Sequence, residues 1–188
     1  MGVGFSEGNS ELTAPKEHGE IAPARWVTDH AHLLPSSGIA LDVACGRGRH
    51  ALWLAERGLT VRAIDRDGEA VATVRAEARR RDLQIIVEQR DLENGNAGLG
   101  VETADVIVVV HYLHRPLFPA LIRALRPRGL LLYETFTHAQ ALRGKPTNPA
   151  FLLAPGELMQ LVQPLDIIAR REGVFEDRDV ASVVAKRE

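Results

Sequence analysis

Two glycines and a carboxylate are spaced as a nucleoside site requires. Residues 42–49 read Asp-Val-Ala-Cys-Gly-Arg-Gly-Arg, which places Gly46 and Gly48 two positions apart. Glycines allow a tight turn and a close approach of the backbone to a ligand, and the free N–H groups of a following helix bind polar or anionic groups. Asp65 follows Gly46 by 19 positions, where an acidic side chain can accept both hydroxyl groups of a ribose.

Further polar residues follow the later apolar runs. Asp91 can accept a hydrogen bond from an adenine amino group, and the neighbouring Leu92 can cover the face of the ring. The candidate catalytic side chains after the next two apolar runs are His111, Tyr112, His114, Arg115 and Tyr133, with Glu134 and His138 beside them. Two histidines three positions apart, with no carboxylate pair nearby, make a poor metal site, so we expect no metal.

The hydrophobic pattern predicts elements that would bring these residues together. Short, nearly all-apolar runs predict strands at 39–44, 59–64, 83–87, 104–110, 129–134, 166–171 and 180–186. Amphipathic spacing and capping residues predict helices at 22–34, 49–57, after Asp67, at 116–125 and at 155–162. Alternating strands and helices favour a doubly wound α/β fold with a mostly parallel sheet and helices on both faces. Ligands bind such sheets at the carboxyl ends of the strands, where the polar residues stand.

Composition and charge narrow the possible functions. The 188 residues suit one domain, which we expect over residues 21–188 after a flexible, glycine- and serine-rich tail at 1–20. The 23 Lys and Arg against 25 Asp and Glu give a net charge of −2, which argues against nucleic-acid binding. One cysteine excludes an intrachain disulfide, and neither a secretory signal nor an apolar run near the ~18 residues of a membrane span is evident. We therefore expect a cytoplasmic protein with no membrane partner.

The glycine turn fits two ligand classes. Residues 46–51 match the G-x-G-x-x-A pattern of nicotinamide dinucleotide enzymes, in which Asp65 would bind a ribose. In the second interpretation, an acidic residue inside the strand is followed by small residues at alternate positions: Asp42, Ala44, Gly46 and Gly48. This second pattern resembles the first motif of the class I S-adenosylmethionine-dependent methyltransferases, which usually carry glycine where this chain has Ala44.

The resemblance to this family covers residues 26–134. Asp65 matches the family's ribose-binding acidic residue, and Asp91 with Leu92 matches its adenine-binding loop. Residues 125–129, Leu-Arg-Pro-Arg-Gly, are similar to the turn before the family's fifth strand. A dinucleotide enzyme requires neither feature, so the methyltransferase interpretation is favoured. Within the family, the chain looks like the small bacterial methyltransferases that include the tellurite-resistance and thiopurine types.

The resemblance implies a Rossmann-like sheet whose last strand is antiparallel, and S-adenosyl-L-methionine as the cofactor. The cofactor-binding residues that it implies are Asp42, Ala44, Gly46, Gly48, Asp65, Arg66, Asp91, Leu92 and His111. For Asp42, an equal alternative is a structural role, in which its carboxylate accepts hydrogen bonds from neighbouring N–H groups. The segment 22–34 would pack over the cofactor as part of a lid.

The family's reaction is methyl transfer, and we expect a small-molecule acceptor because one domain of this length leaves no room for a recognition domain. A soft anionic acceptor, such as a thiolate or a metalloid species, needs no general base. Arg115, Arg143 and Lys145 would favour such a small anion. The alternatives are an RNA or protein methyltransferase and a cofactor-binding module without catalysis. Methylation of a base amino group is disfavoured, because residues 111–114 replace the Asn/Asp-Pro-Pro-aromatic sequence of the enzymes that carry it out.

Overall fold

The computed structural model describes residues 22–95 and 97–188, and a seven-stranded sheet forms its centre. The strands are β1 (Ile39–Val43), β2 (Thr60–Asp65), β3 (Ile85–Gln89), β4 (Ala104–Val110), β5 (Leu125–Phe136), β6 (Asp166–Phe175) and β7 (Arg178–Lys186). Their order is β3-β2-β1-β4-β5-β7-β6; strands β1 to β5 are parallel, and β7 is antiparallel to both of its neighbours. The predicted fold class, the seven strands and the antiparallel last strand are confirmed. The predicted tail at 1–20 lies outside the described residues.

The helices lie on both faces of this sheet. They are α1 (Arg25–Asp29), α2 (Arg49–Glu56), α3 (Gly68–Arg80), α4 (Phe118–Ala124) and α5 (Glu157–Leu161), with 3-10 turns at Ala31–Leu33, Arg115–Leu117, His138–Leu142 and Pro149–Phe151. Helix α3 begins where the sequence predicts, because the side chain of Asp67 accepts hydrogen bonds from the N–H groups of Glu69 and Ala70. Helix α5 begins two residues later than predicted, after Gly156, whose φ of +69° is left-handed.

The prediction of one helix over residues 22–34 is wrong. Helix α1 ends at Asp29, and a separate 3-10 turn follows it. The ring of His30 donates from Nδ1 to the carbonyl oxygen of Trp26 at 2.8 Å, which is the carbonyl that the backbone N–H of residue 30 would use in a continuing helix. The side chain therefore competes with the helix at the point where the helix ends.

The sequence predicts no helix between β3 and β4. The described residues of this connection, 90–95 and 97–103, contain no helix. The side chain of Arg62 holds the connection instead, because its Nη2 donates to the carbonyl of Gly98 at 2.9 Å and its Nη1 to that of Leu99 at 3.3 Å. Leu99 is buried, so this connection closes one edge of the core without a crossover helix.

The core has two layers because alternate residues of the buried strands point to opposite faces. On one face, Ile107 and Leu131 pack with residues of α4 and α5, such as Phe118. On the other face, Val108 and Leu132 pack with residues of α1, α2 and α3. Strand β4 is buried on both faces, as its unbroken aliphatic sequence predicts. This rigid centre fixes the positions of the loops that leave its carboxyl edge.

Candidate active site

The turn after β1 opens at the place where the strand order reverses. Strand β1 lies between β2 and β4, and the chain leaves it first toward β2 and β3 and later toward β4 and β5. Such a reversal leaves a crevice at the carboxyl edge of the sheet. The two glycines of the turn, Gly46 and Gly48, have φ of +53° and +81°, in the left-handed region that side chains disfavour.

The glycines differ in what surrounds them. A Cβ at Gly48 would lie 2.7 Å from Cγ2 of Val74, so this glycine is required for the packing of the turn on α3. A Cβ at Gly46 would meet no atom within 4 Å, so the backbone of Gly46 faces open space. The turn therefore offers a bare stretch of backbone to a ligand, as the sequence predicts.

Asp65 lies against this turn. Its Oδ2 accepts a hydrogen bond from the N–H of Gly46 at 2.7 Å, and its Oδ1 accepts one from the N–H of Asp67 at 2.9 Å. A carboxylate offers about four acceptor positions, so each oxygen keeps one that can bind a ribose hydroxyl group. The structure thus brings together the two residues that the sequence separates by 19 positions. The adjacent Arg66 is exposed, and its carbonyl accepts from the side chain of Gln89 at 3.3 Å.

Asp91 and Leu92 follow β3 beside Asp65. The N–H of Arg90 donates to the backbone oxygen of Asp65 at 2.8 Å, which ties the two strand ends together. Asp91 is exposed and Leu92 is buried, so one offers a carboxylate and the other an apolar wall. The half-buried Tyr112 belongs to the same region, because the charge of Asp91 is among the causes that raise its pKa; burial is the largest of them.

Asp42 makes the structural contact that the sequence analysis held as an alternative. Its Oδ2 accepts a hydrogen bond from the N–H of Ala51, in the first turn of α2, at 2.9 Å. The side chain is buried, and this burial raises the pKa of its carboxyl to about 7. Asp42 therefore fixes the start of α2 against β1, and this contact stabilises the glycine turn that joins them.

Ala44 adopts a conformation that suits glycine. Its φ is +54°, which costs a residue with a side chain roughly 1–2 kcal/mol. This cost explains in physical terms why a glycine at this position, as in the family pattern, is the less strained choice.

We expect Ala44→Gly to raise the free energy of unfolding by up to about 1 kcal/mol, because relief of the strain exceeds the added entropy of the unfolded chain. Urea unfolding measures the change. Ala40→Gly is the matched control. Ala40 is buried in β1 and does not have a positive φ, so this variant should lose stability. Equal losses at both positions would contradict the prediction.

His111 stands directly after β4 in a left-handed conformation, with φ of +59°. Its N–H donates to the backbone oxygen of Glu134 at 2.8 Å, and its ring stacks on Phe136 with centroids 4.6 Å apart. Its Nε2 lies 3.4 Å from Nη1 of Arg178. Burial, followed by the charges of Arg178 and Arg49, lowers the pKa of His111 to about 4, so the ring is neutral at pH 7.

A buried ion pair underlies this part of the crevice. Glu134 Oε2 accepts hydrogen bonds from Arg171 Nη2 at 2.9 Å and from Ser182 Oγ at 2.7 Å. The guanidinium of Arg171 lies over the rings of Trp26 and Phe175, at 4.8 and 4.1 Å. Glu134 is among the residues predicted from the sequence, but Arg171 is not. In the sequence Arg171 is only the last residue of a predicted strand, and nothing there indicates its partner.

Two of the predicted catalytic residues are engaged elsewhere. The hydroxyl of Tyr133 is buried and donates to the backbone oxygen of Tyr112 at 2.7 Å. Arg115 Nη2 donates to Glu157 at 2.9 Å and to the carbonyl of Leu152 at 2.9 Å, so it anchors the segment between β5 and α5. These contacts use the polar groups of both side chains, and we remove Tyr133 and Arg115 from the candidate catalytic set.

The remaining candidates are half-buried or exposed. His114 is half-buried just before the 3-10 turn at Arg115–Leu117. Arg143 and Lys145 are exposed on the segment after β5, and Arg143 Nε lies 3.9 Å from Asp179 Oδ2. Of the predicted catalytic set, Tyr112 lies within the electrostatic influence of Asp91, and His111 contacts Phe136 and Arg178.

The segment 22–29 packs beside the glycine turn. The N–H of Ala24 donates to Nε2 of the buried His50 at 3.1 Å, and Arg49 Nη1 donates to the carbonyl of Ala22 at 3.4 Å. Trp26 Nε1 donates to the backbone oxygen of Val183 at 3.2 Å. These contacts join the segment to α2 and β7, so it lies at the edge of the crevice, where the sequence predicts part of a lid.

Two surface hollows lie away from this edge. One, with a volume of about 580 Å³, is lined at the opposite ends of the strands by residues such as Gly38, Asp105 and Arg126. The other, about 450 Å³, lies between α4 and α5. Neither is lined by the predicted cofactor-binding residues, which stand instead along the open crevice.

Among the described residues, no group of three or more His, Cys, Asp or Glu side chains is placed to hold a metal ion. No helix in residues 22–95 and 97–188 is long and apolar enough to cross a membrane.

Comparisons with known proteins bear on the identity of this crevice. Residues 40–129 match the family described as "Methyltransferase domain". The chain is 31% identical over 117 residues to YqeM of Bacillus subtilis (strain 168), whose methyltransferase activity is itself inferred. This alignment covers 58% of the chain and 47% of YqeM, so the chain spans about half the length of that relative.

Solved structures show the same fold. TehB from Haemophilus influenzae aligns with a TM-score of 0.71 at 22% identity, over 86% of this chain and 61% of TehB. An S-adenosylmethionine-dependent methyltransferase from Mesorhizobium loti aligns with a TM-score of 0.69 at 17% identity, over 85% of this chain and 96% of that chain. The family match, which covers just under half of the chain, favours the methyltransferase interpretation of the glycine turn over the dinucleotide one. The solved structures show that the chain shares the fold of S-adenosylmethionine-dependent methyltransferases.

Proposed function

We propose that this chain transfers the methyl group of S-adenosylmethionine to a small-molecule acceptor. The observation that carries the proposal is the contact between Asp65 and Gly46, which sets a carboxylate beside a bare stretch of backbone at the strand reversal. A ribose fits this combination, because its hydroxyl groups donate to the carboxylate and its carbon atoms need the space that a side chain would fill. The cytoplasmic setting predicted from the sequence is part of this proposal.

The chain's own residues would hold the cofactor along the crevice. Asp65 would bind the ribose, and Asp91 and Leu92 would bind the adenine with Tyr112 beside them. The methionine part would then lie toward Gly46 and His111. When bound, the cofactor supplies an electrophilic methyl group, which an acceptor lone pair takes up as the carbon–sulfur bond breaks and its electron pair stays on sulfur.

The protein's contribution is then chiefly positioning. Holding two reactants in line is worth about 7–11 kcal/mol of the barrier. The rigid carboxyl ends of β1 and β4 and the buried Glu134–Arg171 pair provide fixed points on both sides of the crevice. Segment 22–29 and the segment after β5 border the crevice and can limit the access of water.

The titratable groups of the crevice favour an acceptor that arrives without its proton. A general base works best when its pKa lies near the operating pH. His111 has a pKa of about 4 and holds a proton poorly at pH 7, and burial raises the pKa of Tyr112 above its usual range. A thiolate or a metalloid or other anion meets this requirement, since its lone pair is already free.

Titration of the protein with S-adenosylhomocysteine tests the cofactor assignment. We expect Asp65→Ala to weaken binding about 30- to 150-fold, because two hydrogen bonds to a charged group are lost and each is worth ~1.5–3 kcal/mol, partly replaced by water. Asp65→Asn keeps one acceptor oxygen and should lose less. Asp166→Ala removes an exposed carboxylate at the start of β6 and is the matched control.

Four results would contradict the proposal. Unchanged affinity in a folded Asp65→Ala variant would remove the ribose assignment. Tight, saturable binding of NADH would support the dinucleotide interpretation. Transfer of labelled methyl groups to RNA or protein, and to none of a panel of thiols and metalloid oxyanions, would replace the small acceptor by a macromolecule; binding without any transfer would indicate a cofactor-binding module.

A further inference from the structure

The crevice has an acidic half and a basic half. Asp65 and Asp91 follow β2 and β3 on one side of the glycine turn. Arg49 opens α2 directly after the turn, and Arg178 opens β7, whose first residues lie beside the carboxyl end of β5. In the proposed function, the acidic half binds the nucleoside of the cofactor. The two arginines of the basic half have no role in it.

Among the described residues, no direct ion pair neutralises these two arginines. Within residues 22–95 and 97–188, neither guanidinium has a carboxylate oxygen within 4.0 Å. Burial, and then the charge of Arg178, lowers the pKa of Arg49, which shows that the two cations are close enough to repel each other. Arg49 is half-buried and Arg178 is exposed, and a bound anion stabilises two neighbouring cations of this kind.

The acidic groups that face the pair are engaged or act from a distance. Glu134 is already hydrogen-bonded within its buried ion pair, and Asp42 accepts from the backbone of α2. Glu176 is exposed in the turn between β6 and β7. The charges of all three raise the pKa of Arg49, yet burial and Arg178 outweigh them. These acidic groups therefore lower the repulsion between the two arginines without bonding directly to either guanidinium.

His111 connects the pair to the place of reaction. It follows β4 at the strand reversal, and its Nε2 lies 3.4 Å from Nη1 of Arg178, a distance at which a neutral ring accepts a hydrogen bond from the guanidinium. This bond orients Arg178 toward the crevice. The predicted cation Arg115 is less available, since it is paired with Glu157.

We propose that Arg178 and Arg49 bind the methyl acceptor through a negatively charged group, so that the acceptor is a small oxyanion or a carboxylate-bearing nucleophile. This inference rests on the proposed function, because it assigns the acceptor's side of the same site. A guanidinium binds carboxylates and oxyanions through two parallel hydrogen bonds, which fixes orientation as well as position. The two arginines would thus select the acceptor by its charge and would hold its attacking atom at a fixed position in the crevice.

Calorimetric titration of the protein loaded with S-adenosylhomocysteine tests the anion site. The probes are selenite and mercaptoacetate, with 2-mercaptoethanol as the uncharged counterpart of mercaptoacetate. We expect the wild-type protein to bind one or both anions, and Arg178→Met to weaken this binding about 10- to 100-fold. Arg170→Met, which removes an exposed arginine from β6, is the matched control and should leave the affinity unchanged.

A second titration shows whether Arg178 binds the acceptor or the carboxylate of the cofactor. Methylthioadenosine lacks the cofactor's amino acid part, so it reports the nucleoside site alone. If Arg178→Met weakens S-adenosylhomocysteine but not methylthioadenosine, the arginine binds the cofactor's carboxylate and the inference is overturned while the proposed function stands. Absence of anion binding in the wild-type protein, or equal anion binding in Arg178→Met, also overturns it. Failure of the wild-type protein to bind S-adenosylhomocysteine would instead overturn the proposed function.

Discussion

The Arg171→Met variant is expected to unfold with a free energy about 3 kcal/mol below that of the wild-type protein. Arg171 binds Glu134 and lies over the rings of Trp26 and Phe175. Its loss leaves the Glu134 carboxylate, 7% exposed, with Ser182 as its remaining donor. Removal of one partner from a buried ion pair costs about 3–5 kcal/mol, and we expect the lower end because the Arg171 side chain is itself 19% exposed. Urea unfolding at pH 7 measures the loss.

Two further variants make this prediction specific. Arg170→Met removes the neighbouring exposed arginine and should change the free energy of unfolding by no more than about 0.5 kcal/mol. The double variant Arg171→Met/Glu134→Gln removes the unpaired charge and should recover much of the stability, because the glutamine can keep the contact with Ser182. A loss below about 1 kcal/mol in the single variant, or no recovery in the double variant, would show that the pair is not a buried, coupled unit.

The pH dependence of stability is expected to change in Asp42→Asn. Burial raises the pKa of Asp42 to about 7 from the model-compound value of 3.8. Between these two pH values the folded protein keeps the proton that the unfolded chain has lost, so the free energy of unfolding falls as the pH rises through this window. The difference between the two pKa values corresponds to a loss on the order of 4 kcal/mol by pH 7. Asparagine does not titrate, and its side-chain oxygen can still accept from the N–H of Ala51.

The measurement is a set of urea-unfolding curves for both proteins between pH 4 and pH 8. Every other titrating group is common to the two proteins, so the difference between their free energies of unfolding isolates Asp42. We expect this difference to shift in favour of Asp42→Asn as the pH rises and to level off above about pH 7. A difference that stays constant over this range would show that Asp42 is ionised in the folded protein throughout.

The positions of the candidate cofactor-binding residues in the fold were predictable because their signals are local. Gly46 and Gly48 stand between a run of buried aliphatic residues and an amphipathic helix, and this order alone indicates a strand, a turn and a helix. Asp65 ends the next aliphatic run, and parallel strands bring such ends to one edge of the sheet. The contact between Asp65 and the N–H of Gly46 follows from those local signals once the strands pair.

The errors arise where one side chain or one contact overrides the local pattern. The apolar spacing of residues 22–34 suits a helix, but the ring of His30 takes the carbonyl of Trp26 that the helix needs. Arg115 and Tyr133 have the chemistry of catalytic residues, yet each finds a partner distant in the sequence, Glu157 for the arginine and the backbone of Tyr112 for the tyrosine. Such partners depend on which helices, strands and loops pack against each other, and the hydrophobic periodicity of the sequence does not indicate this.

By itself the sequence determined the class of fold and the strand ends at which the candidate cofactor-binding residues stand, because each depends on residues close together along the chain. The tertiary structure alone decided how charges are paired. Glu134 and Arg171 are 37 positions apart and become partners only because β5 and β6 flank β7, while Arg49 and Arg178 come close enough from distant parts of the chain for their charges to interact. Electrostatic energy depends on distance in space, which for these residues is set by the packing of the whole sheet.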